Sequence, residues 1–517
     1  MILNDTCPKA LIFGREEMIL TIGVLVAQEI FQKSLPVLQV PISSYEQLLQ
    51  HNRTQIHITE NKIHLDQSDE MINKTILDSS SVATPSFDSH LPAPHLTPFD
   101  HELLSGSHGK AAKIAMRVIL QTAQIQGVTE LIDVKQAHID CCIYTGPATL
   151  KFAQQLCSWG AKLRIPTSLN SISVDRRLWR SQGVDKDLGE PSEALAQAYL
   201  DMGAQPTFTC APYLLETAPQ PGEHITWAES NAVVFANSIL GARTIKCPDF
   251  LDVCVALTGR ALNTGCHLTE YRKASVQIHV EDMDDADDSL FPIVGYIAGD
   301  IAADRIPIIT GLEKKQASTE DLKAFGAAFA TTSSAPMFHI AGITLEASSA
   351  EEIKMQTKDT AQASIKRSDL AKQWLQFNKY ENHEPHTNID LVSLGNPHFS
   401  YIEIKKLVSL CSGRQKNDTV TFVITCNRDT YSKASREGYI SALEGFGAQI
   451  LTDTCWCMIQ EPIVPFHSKV IMTNSAKYAH YGKGLTGRKM RFGGLRQCVD
   501  AACVGQVMNS VPGWLKT

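Results

Sequence analysis

The chain has 517 residues, of which 44% are hydrophobic and 20% charged, as is typical of a globular protein with several domains. Its formal net charge of −8 excludes a general electrostatic affinity for nucleic acid or an anionic membrane. No apolar stretch is long enough to cross a bilayer, and the N-terminus is a poor signal peptide. The 14 cysteines have no regular metal-binding spacing. We therefore expect a cytoplasmic protein with mostly reduced, buried cysteines.

The first 65 residues predict a small β-α-β-β module. An apolar run at residues 10–13 predicts a buried strand, and helical spacing of apolar residues follows over 18–31. A second strand is predicted at 35–40, and a hairpin at 55–58 and 62–65. Residues 66–97 are rich in Ser, Thr, Asp and Pro, which is typical of a linker.

From residue 98 to residue 517 the chain alternates predicted helices and short strands, which indicates an α/β region with two or three subdomains. Helices are predicted at 111–124, 150–160, 401–411 and 432–446, and strands at 131–134, 162–165, 392–394, 420–425 and 449–452. Open α/β sheets bind ligands at the carboxyl ends of their strands. We therefore expect the loops 136–144, 395–400 and 453–455 to carry function.

These loops and two further segments contain reactive side chains. His138, Asp140 and Cys142 follow a predicted strand, and Cys210 lies among hydroxyl groups beside a proline. The run 473–481 combines an amide, hydroxyls, a lysine and a histidine. Each feature alone is weak, because a single cysteine at a strand end usually packs in the core and a single histidine is usually structural.

Taken together, these motifs resemble the large subunit of the aconitase X family. The resemblance covers Leu96 to about Val507, and its longest block is the run GEHITWAESNAVVFANSILGART at residues 222–244. Shorter matching runs are HIDCC, PTSLN, TFTCAPYLL, FHIAGITLEA, LGNPHFS, DTC and TNSAKYAHYGKG, in the family's order. The resemblance implies an aconitase-like multidomain catalytic region.

The family is known for dehydrating small hydroxy acids, either cis-3-hydroxy-L-proline or, in archaea, phosphomevalonate. The resemblance therefore implies a hydro-lyase, and cis-3-hydroxy-L-proline is the favoured substrate. In that reaction the Cα proton is removed and the 3-hydroxyl is lost, and the resulting enamine rearranges to pyrroline-2-carboxylate. Such an elimination needs a base, an acid or Lewis acid for the hydroxyl, and groups that hold the carboxylate.

The resemblance also implies an iron–sulfur cluster held by three cysteines, or a single iron or other divalent metal. The family's ligand positions map onto Cys210, Asn396 and Cys455, so the middle cysteine is replaced by an amide. An amide is a poor ligand for cluster iron, and Cys142 or Cys457 is a candidate substitute. We expect Cys210, Asn396 and Cys455 to converge.

The remaining candidate site residues come from the same motifs. The predicted catalytic residues are His138, Asp140, Ser333 and Lys477. The predicted substrate-binding residues are Asn170, Glu229, Ser334, Asn474 and Asn396.

The N-terminal segment 1–65 resembles the back part of the family's small swivel domain. The family places a Gly/Ser-rich loop with an active-site serine before this part, and the sequence starts beyond that loop. Three explanations are open. A partner chain or a second copy supplies the loop, the sequence is a truncated product, or the protein works without the loop. We expect the segment to cap the mouth of the catalytic region.

The alternatives to an active dehydratase of this kind are a catalytically impaired or regulatory paralogue and a lyase or isomerase acting on another hydroxy acid.

Overall fold

The computed structural model describes residues 1–516 except 5, 52–53, 60–61, 66–73, 79–93, 284 and 380–384. The chain divides into two compact units. Unit 1 contains Met1–Asp133, Gln154–Arg164 and Pro248–Asn263, and unit 2 contains Val134–Ala153, Ile165–Cys247 and Thr264–Thr517. In the described part of the chain, no helix is both long enough and apolar enough to cross a membrane.

The helices and strands are numbered in chain order. The helices are α1 (Ile19–Phe31), α2 (Ile42–Gln50), α3 (Pro98–Ser105), α4 (Lys110–Ile125), α5 (Pro147–Ser158), α6 (Lys186–Asp201), α7 (Ser230–Phe235), α8 (Leu251–Thr258), α9 (Leu290–Ala302), α10 (Thr319–Thr332), α11 (Ala350–Thr357), α12 (Arg367–Phe377), α13 (Tyr401–Cys411), α14 (Arg428–Arg436), α15 (Tyr439–Phe446), α16 (Ala476–Thr486) and α17 (Leu495–Val504). The strands are β1 (Leu11–Phe13), β2 (Val37–Gln39), β3 (Ile56–Thr59), β4 (Lys62–Leu65), β5 (Lys74–Asp78), β6 (Leu131–Asp133), β7 (Ala137–Ile139), β8 (Thr167–Leu169), β9 (Thr226–Trp227), β10 (Arg260–Leu262), β11 (Val276–Val280), β12 (Pro307–Thr310), β13 (His339–Ile340), β14 (Ala361–Ile365), β15 (His386–Asn388), β16 (Leu391–Phe399), β17 (Thr421–Cys426), β18 (Gln449–Leu451), β19 (Val470–Thr473), β20 (Lys489–Phe492) and β21 (Gln506–Met508).

Unit 1 combines short sheets with helices. Strands β1 and β2 pair in parallel, β3, β4 and β5 form an antiparallel sheet, and β6 pairs with β10. Helix α1 packs on α4, and the Arg117 guanidinium lies 3.0 Å from the Glu29 carboxylate between them. Buried Arg260 holds β10 to α3 through a 2.8 Å ion pair with Asp100.

The predicted N-terminal module is present as β1, α1, β2 and the β3–β4 hairpin. Helix α2 was not predicted, because its sequence is largely polar and only Ser44 is fully buried. Strand β5 lies inside the segment predicted to be a linker and pairs with β4, so Lys74–Asp78 have regular structure, while the linker role of 66–97 stays a prediction. Of the rest of that segment, residues 66–73 and 79–93 lie outside the described residues.

Unit 2 contains three parallel sheets, with strand orders β8–β7–β9, β13–β12–β11–β14 and β18–β17–β16–β19–β20. The second sheet is covered by α9 and α10. These helices can approach closely because Gly295 has no Cβ, and a Cβ there would lie only 2.4 Å from the Phe325 carbonyl oxygen. The five-stranded sheet packs its own apolar core against α13, α15 and α17. Strands β15 and β21 form a separate antiparallel pair.

Most of the elements predicted after residue 98 are found near their expected bounds. Three predictions differ from the structure. The strand predicted at 392–394 is the start of the longer β16, which extends to Phe399 and includes most of the predicted loop 395–400. The predicted strand at 162–165 is irregular, since the Arg164 N–H donates to the Ala256 carbonyl, and the strand forms only after Pro166 as β8. The predicted helix at 432–446 is two helices, α14 and α15, because Gly438 adopts a left-handed conformation with φ +79° between them.

Candidate active site

Three parallel strands of unit 2 bring a carboxylate and amide cluster together at their carboxyl ends. Asp140 follows β7, Asn170 follows β8, and Glu229 follows β9 and begins α7. The Asn170 amide nitrogen donates to the Asp140 carboxylate and, at 3.2 Å, to Glu229 Oε2. The Asn170 amide oxygen accepts from the Ser171 N–H at 2.7 Å, which fixes the orientation of the amide.

Lys477 joins this cluster from the first turn of α16. Its Nζ lies 2.9 Å from Glu229 Oε1, and the two side chains are only 13% and 14% exposed. Burial alone would raise the pKa of Glu229, but the Lys477 charge and hydrogen bonds from Lys477 and Asn231 lower it to about 2. Burial alone would lower the pKa of Lys477, but the negative charge of Glu229 and neighbouring thiols raise it well above its ordinary value. The pair therefore stays ionised across the physiological range.

Three cysteine thiols lie in a row beside the ion pair. Cys455 hydrogen-bonds with both Cys210 and Cys457, which connects two loops separated by more than 200 residues in sequence. Burial would raise the pKa of Cys210, but the bond with Cys455 and the charges of His398 and Lys477 lower it to about 5. The bond with Cys455 and the charge of Lys477 lower the pKa of Cys457 to about 7 despite burial.

Asn396 contacts this row of thiols. Its Nδ2 donates to Cys457 Sγ at 3.5 Å, while its Oδ1 is buried and has no hydrogen-bond partner within the described residues. Gly395 makes the approach possible, because it has φ +95° and a Cβ there would lie 2.2 Å from the Thr425 carbonyl oxygen. A buried acceptor without a partner is costly, so Asn396 is suited to receive a hydrogen bond from a ligand.

His398 fixes the thiol-bearing loops to each other. Its backbone N–H donates to Cys210 Sγ at 3.3 Å, and its Nε2 donates to the Thr454 carbonyl at 2.8 Å. Two residues further on, Ser400 begins α13 with a capping box, in which its hydroxyl accepts from the Glu403 N–H at 3.1 Å. The site end of β16 is therefore held by the start of the following helix.

The turn before Cys455 is held by a buried ion pair. Asp453 has φ +67°, which is uncommon for a residue other than glycine, and its carboxylate is fully buried. The Arg428 guanidinium binds both of its oxygens, at 2.6 and 2.7 Å. This positions the turn that carries Cys455 and Cys457.

His138 and Cys142 lie close to the cluster but have structural contacts. His138 Nδ1 lies 2.8 Å from the Ser168 hydroxyl, and burial lowers the pKa of His138 to about 3, so the ring is neutral. The Cys142 thiol donates to the carbonyls of Ile139 and Asn170, at 3.4 and 3.3 Å. The third thiol in the row is therefore Cys457 and not Cys142.

Ser333, Ser334 and Asn474 complete the predicted set. The Ser333 hydroxyl donates to the Ala303 carbonyl at 2.7 Å and accepts from the Ala335 N–H at 3.0 Å, so its own turn already uses it. Ser334 is exposed. The Asn474 side-chain oxygen is buried without a hydrogen-bond partner in the described part of the chain, two residues before the helix of Lys477.

Three thiols meet at the site, and two of them accept N–H···S hydrogen bonds, which is the environment that cluster sulfur atoms favour. Cys210, Cys455 and Cys457 are therefore residues of the type that holds an iron–sulfur cluster.

The sequence motifs indicate Cys457 only as a candidate substitute for the ligand at position 396. Lys246, Arg428 and Asn231 were not predicted. Asn231 supports Glu229 by a side-chain hydrogen bond and donates to the Cys210 carbonyl at 3.2 Å. Its position two residues after Glu229 within the long matching block was an available signal. Arg428 lies outside the matching runs and gave no such signal.

The fold and the site define an α/β protein whose thiols, carboxylates and lysine meet near the carboxyl ends of parallel strands. Three family models match consecutive parts of the chain: the aconitase X first domain at residues 93–270, the second domain at 274–375 and the third domain at 389–504. The chain belongs to the aconitase X family, which confirms the resemblance inferred from its motifs.

Proteins similar to this chain are dehydratases. The cis-3-hydroxy-L-proline dehydratase of Hypocrea jecorina is 49% identical, over 100% of this chain and 86% of its own length. The protein of the same name from Pseudomonas aeruginosa is 46% identical, with the same two coverages of 100% and 86%. The crystal structure of Thermococcus kodakaraensis aconitase X in its holo form matches with a TM-score of 0.70 and 29% identity, over 79% of this chain and 100% of that chain. The predicted aconitase-like α/β fold is confirmed.

Proposed function

We propose that the protein is a hydro-lyase that dehydrates cis-3-hydroxy-L-proline to pyrroline-2-carboxylate. The observation that carries this proposal is the juxtaposition of the Asp140–Asn170–Glu229–Lys477 cluster with three thiols and the amide of Asn396. This site offers one small polar substrate a base, a lysine that stays protonated and a hydrogen-bond acceptor. The identity of 49% and 46% with dehydratases of that substrate supports the choice.

Asp140 is the proposed base. The Asn170 amide, itself held by the Ser171 N–H, donates to the Asp140 carboxylate and orients it. Asp140 would accept the Cα proton, while the 3-hydroxyl leaves with a proton as water and the enamine rearranges to the imine. No oxidant or reductant is needed, because the elimination and the rearrangement are redox-neutral.

Lys477 and Asn396 are the proposed groups for the substrate oxygen and nitrogen. Lys477 stays protonated beside Glu229, so its ammonium can stabilise negative charge on the departing hydroxyl. The Asn396 side-chain oxygen can accept a hydrogen bond from the hydroxyl or from the ring ammonium. His138 would position β7 rather than transfer a proton, because its ring is buried, neutral and bonded to Ser168.

An iron–sulfur cluster is the proposed cofactor, held by Cys210, Cys455 and Cys457. Such a cluster supplies a Lewis acid for the substrate hydroxyl. The chain's own contribution is to hold the thiols with the His398 and Asn396 N–H groups and to bury Cys210 and Cys455.

The domain organisation and location are also proposals. Residues 1–65 would form a swivel-like part, 66–97 a connection that includes β5, and 98–517 the catalytic region. That the first part caps the mouth of the catalytic region stays a prediction, as does the cytoplasmic location.

The test is an imine-trapping assay on anaerobically purified protein, with and without added ferrous iron. We expect turnover of cis-3-hydroxy-L-proline and none of trans-3-hydroxy-L-proline or phosphomevalonate. Asp140→Asn should lower kcat by about 100-fold or more, since a positioned base contributes about 10²–10⁴-fold. Asp321→Asn, which changes an exposed helix cap, is the control and should retain activity. Iron-loaded protein that turns over phosphomevalonate but not the hydroxyproline would overturn the substrate, and no turnover at all would favour the impaired paralogue.

A further inference from the structure

Lys246 is a partly buried lysine that the proposed chemistry leaves without a role. Its Nζ donates to the Ser333 carbonyl at 3.0 Å, and among the described residues no carboxylate lies within ion-pair distance of it. An ammonium group has three N–H donors, so this contact satisfies one of them. A cation withdrawn from water without an anionic partner is costly, which makes the position suited to an anionic ligand.

The backbone places Lys246 beside the catalytic cluster. Residues 243–245 run next to β9, since the Ile225 N–H donates to the Arg243 carbonyl at 3.0 Å and the Trp227 N–H donates to the Thr244 hydroxyl at 3.3 Å. Lys246 lies two residues beyond Thr244, and Glu229 lies two residues beyond Trp227, so both residues leave these adjacent parallel segments at the same end. The negative charge of Glu229 accordingly favours the protonated form of Lys246 and raises its pKa.

Asn237 fixes the same segment to the turn that contains Ser333. Its Nδ2 donates to the Thr244 carbonyl at 2.9 Å and to the Pro336 carbonyl at 3.0 Å, and its Oδ1 accepts from the Thr244 N–H at 3.0 Å. The segment before Lys246 is therefore held to the turn that contains Ser333, whose carbonyl Lys246 bonds. The position does not depend on Lys246 itself, so replacing that side chain should leave the backbone in place.

The two lysines near Glu229 have different surroundings. Lys477 is already paired with the Glu229 carboxylate at 2.9 Å, whereas Lys246 bonds only a neutral carbonyl. We propose that Lys246 binds the α-carboxylate of the substrate, which leaves Lys477 for the departing hydroxyl. This role rests on the proposed function, since it takes the substrate to be an amino acid with a free carboxylate. Ser334, next to the carbonyl that Lys246 bonds, would lie near the same carboxylate.

The ionisation of Lys246 gives the role a pH signature. Burial lowers the pKa of Lys246 to about 8, and Glu229, which faces it, counteracts this only in part. Glu229 is the ionisable group that acts on Lys246 in the described structure, and with a pKa of about 2 it does not titrate near pH 8. The carboxylate binds the protonated lysine, so the KM should be constant below pH 8 and rise above it by up to about tenfold per pH unit.

The experiment compares wild type, Lys246→Met, Lys246→Arg and the exposed-lysine control Lys273→Met, with cis-3-hydroxy-L-proline and its carboxamide as substrates. Lys246→Met should raise the KM of the acid by about 10- to 100-fold, the range for losing a hydrogen bond to a charged group, and change kcat far less. The KM of the carboxamide should not change. Lys246→Arg should restore much of the affinity and remove the rise in KM above pH 8, since arginine does not titrate there. Lys273→Met should match wild type.

Two failures are distinguishable. An active wild type with an unchanged KM for the acid in Lys246→Met, or a loss of kcat alone, overturns the role of Lys246 and leaves the dehydratase intact. A wild type that turns over neither compound overturns the proposed function, and this role with it. Equal melting temperatures of Lys246→Met and wild type exclude misfolding as the cause of a raised KM.

Discussion

Cys457 determines how many thiols the site offers to a cluster. Asn396 stands where the family's ligand pattern implies a cysteine, and this alone would leave two thiols for a cluster. The structure places Cys457 against both Cys455 and the Asn396 amide. A third thiol is thus present beside position 396, where the family has a cysteine, and the Asn396 side-chain oxygen remains available to a ligand.

Replacing Cys457 by serine should lower bound iron and sulfide per chain to less than about half, because thiolates are the ligands that cluster iron prefers. The measurement is iron and sulfide content with visible absorbance after anaerobic reconstitution. Cys142→Ser is the matched control, since Cys142 is buried nearby but bonds backbone carbonyls. Equal losses in both variants would contradict the assignment of Cys457.

Asn396→Cys should increase iron retention, because it places a fourth thiol at a position whose present side chain contacts Cys457 Sγ. The same change should lower turnover, since the amide oxygen that has no protein partner is lost. Iron per chain and hydroxyproline turnover are measured together. Unchanged iron content would show that position 396 does not face the cluster, and unchanged turnover would show that the amide does not touch substrate.

At the scale of elements, the β16 strand and its loop determine where the site forms. Gly395 allows the strand to turn against β17, and Ser400 starts α13 four residues after Asn396. The result is a loop held at both ends, with Asn396 and His398 directed at the thiols between them.

Gly395→Ala should lower the free energy of unfolding by more than about 2 kcal/mol, because φ is +95° and the new Cβ would clash with the Thr425 carbonyl oxygen. Gly445→Ala is the matched control. Gly445 is exposed in α15 and a Cβ there meets nothing within 4 Å, so the change should stabilise by about 0.5–1 kcal/mol. Thermal unfolding followed by circular dichroism measures both. A Gly395→Ala protein that melts with wild type would contradict the close approach.

How far the sequence predicted these elements depended on the range of the interactions involved. The apolar pattern predicted α4, α13 and β17 closely, because the two helices each bury one regular face and β17 is a short run of buried residues. It failed at Gly438 and Pro166, where single residues with special backbone properties override the pattern. It also could not predict β5, whose pairing with β4 is a tertiary choice.

The site followed the same rule. The motif resemblance selected Cys210, Asn396, Cys455, Glu229 and Lys477, and the structure brings these together. Which thiol contacts Asn396, and that Lys246 reaches the Ser333 carbonyl 87 residues away, are set by packing between distant segments. No local pattern in the sequence contains that information.

At the scale of the whole molecule, the thiol site connects parts of unit 2 that are far apart along the chain. Cys210 lies beside β8 of the first parallel sheet, where the Thr209 N–H donates to the Leu169 carbonyl, whereas Cys455 and Cys457 follow β18 of the five-stranded sheet. Hydrogen bonds to sulfur and the bonds of His398 connect these loops, and the turn before Cys455 also bonds the segment after β8, where the Ile172 N–H donates to the Asp453 carbonyl at 2.7 Å. A group that binds all three thiols would therefore join two sheets of the same unit.

Such a group should stabilise the folded protein, because a ligand that binds the native state and not the unfolded chain shifts the equilibrium by mass action. We expect the iron-loaded protein to melt at least about 4 °C above chelator-treated protein, which corresponds to roughly 2 kcal/mol for a unit of this kind. Calorimetry under anaerobic conditions measures both forms. The difference should disappear in Cys457→Ser, where one of the joined loops loses its ligand, and persist in Cys142→Ser. Identical melting temperatures of loaded and chelator-treated wild type, with the difference in iron content per chain confirmed by assay, would show that the bound iron does not join these loops.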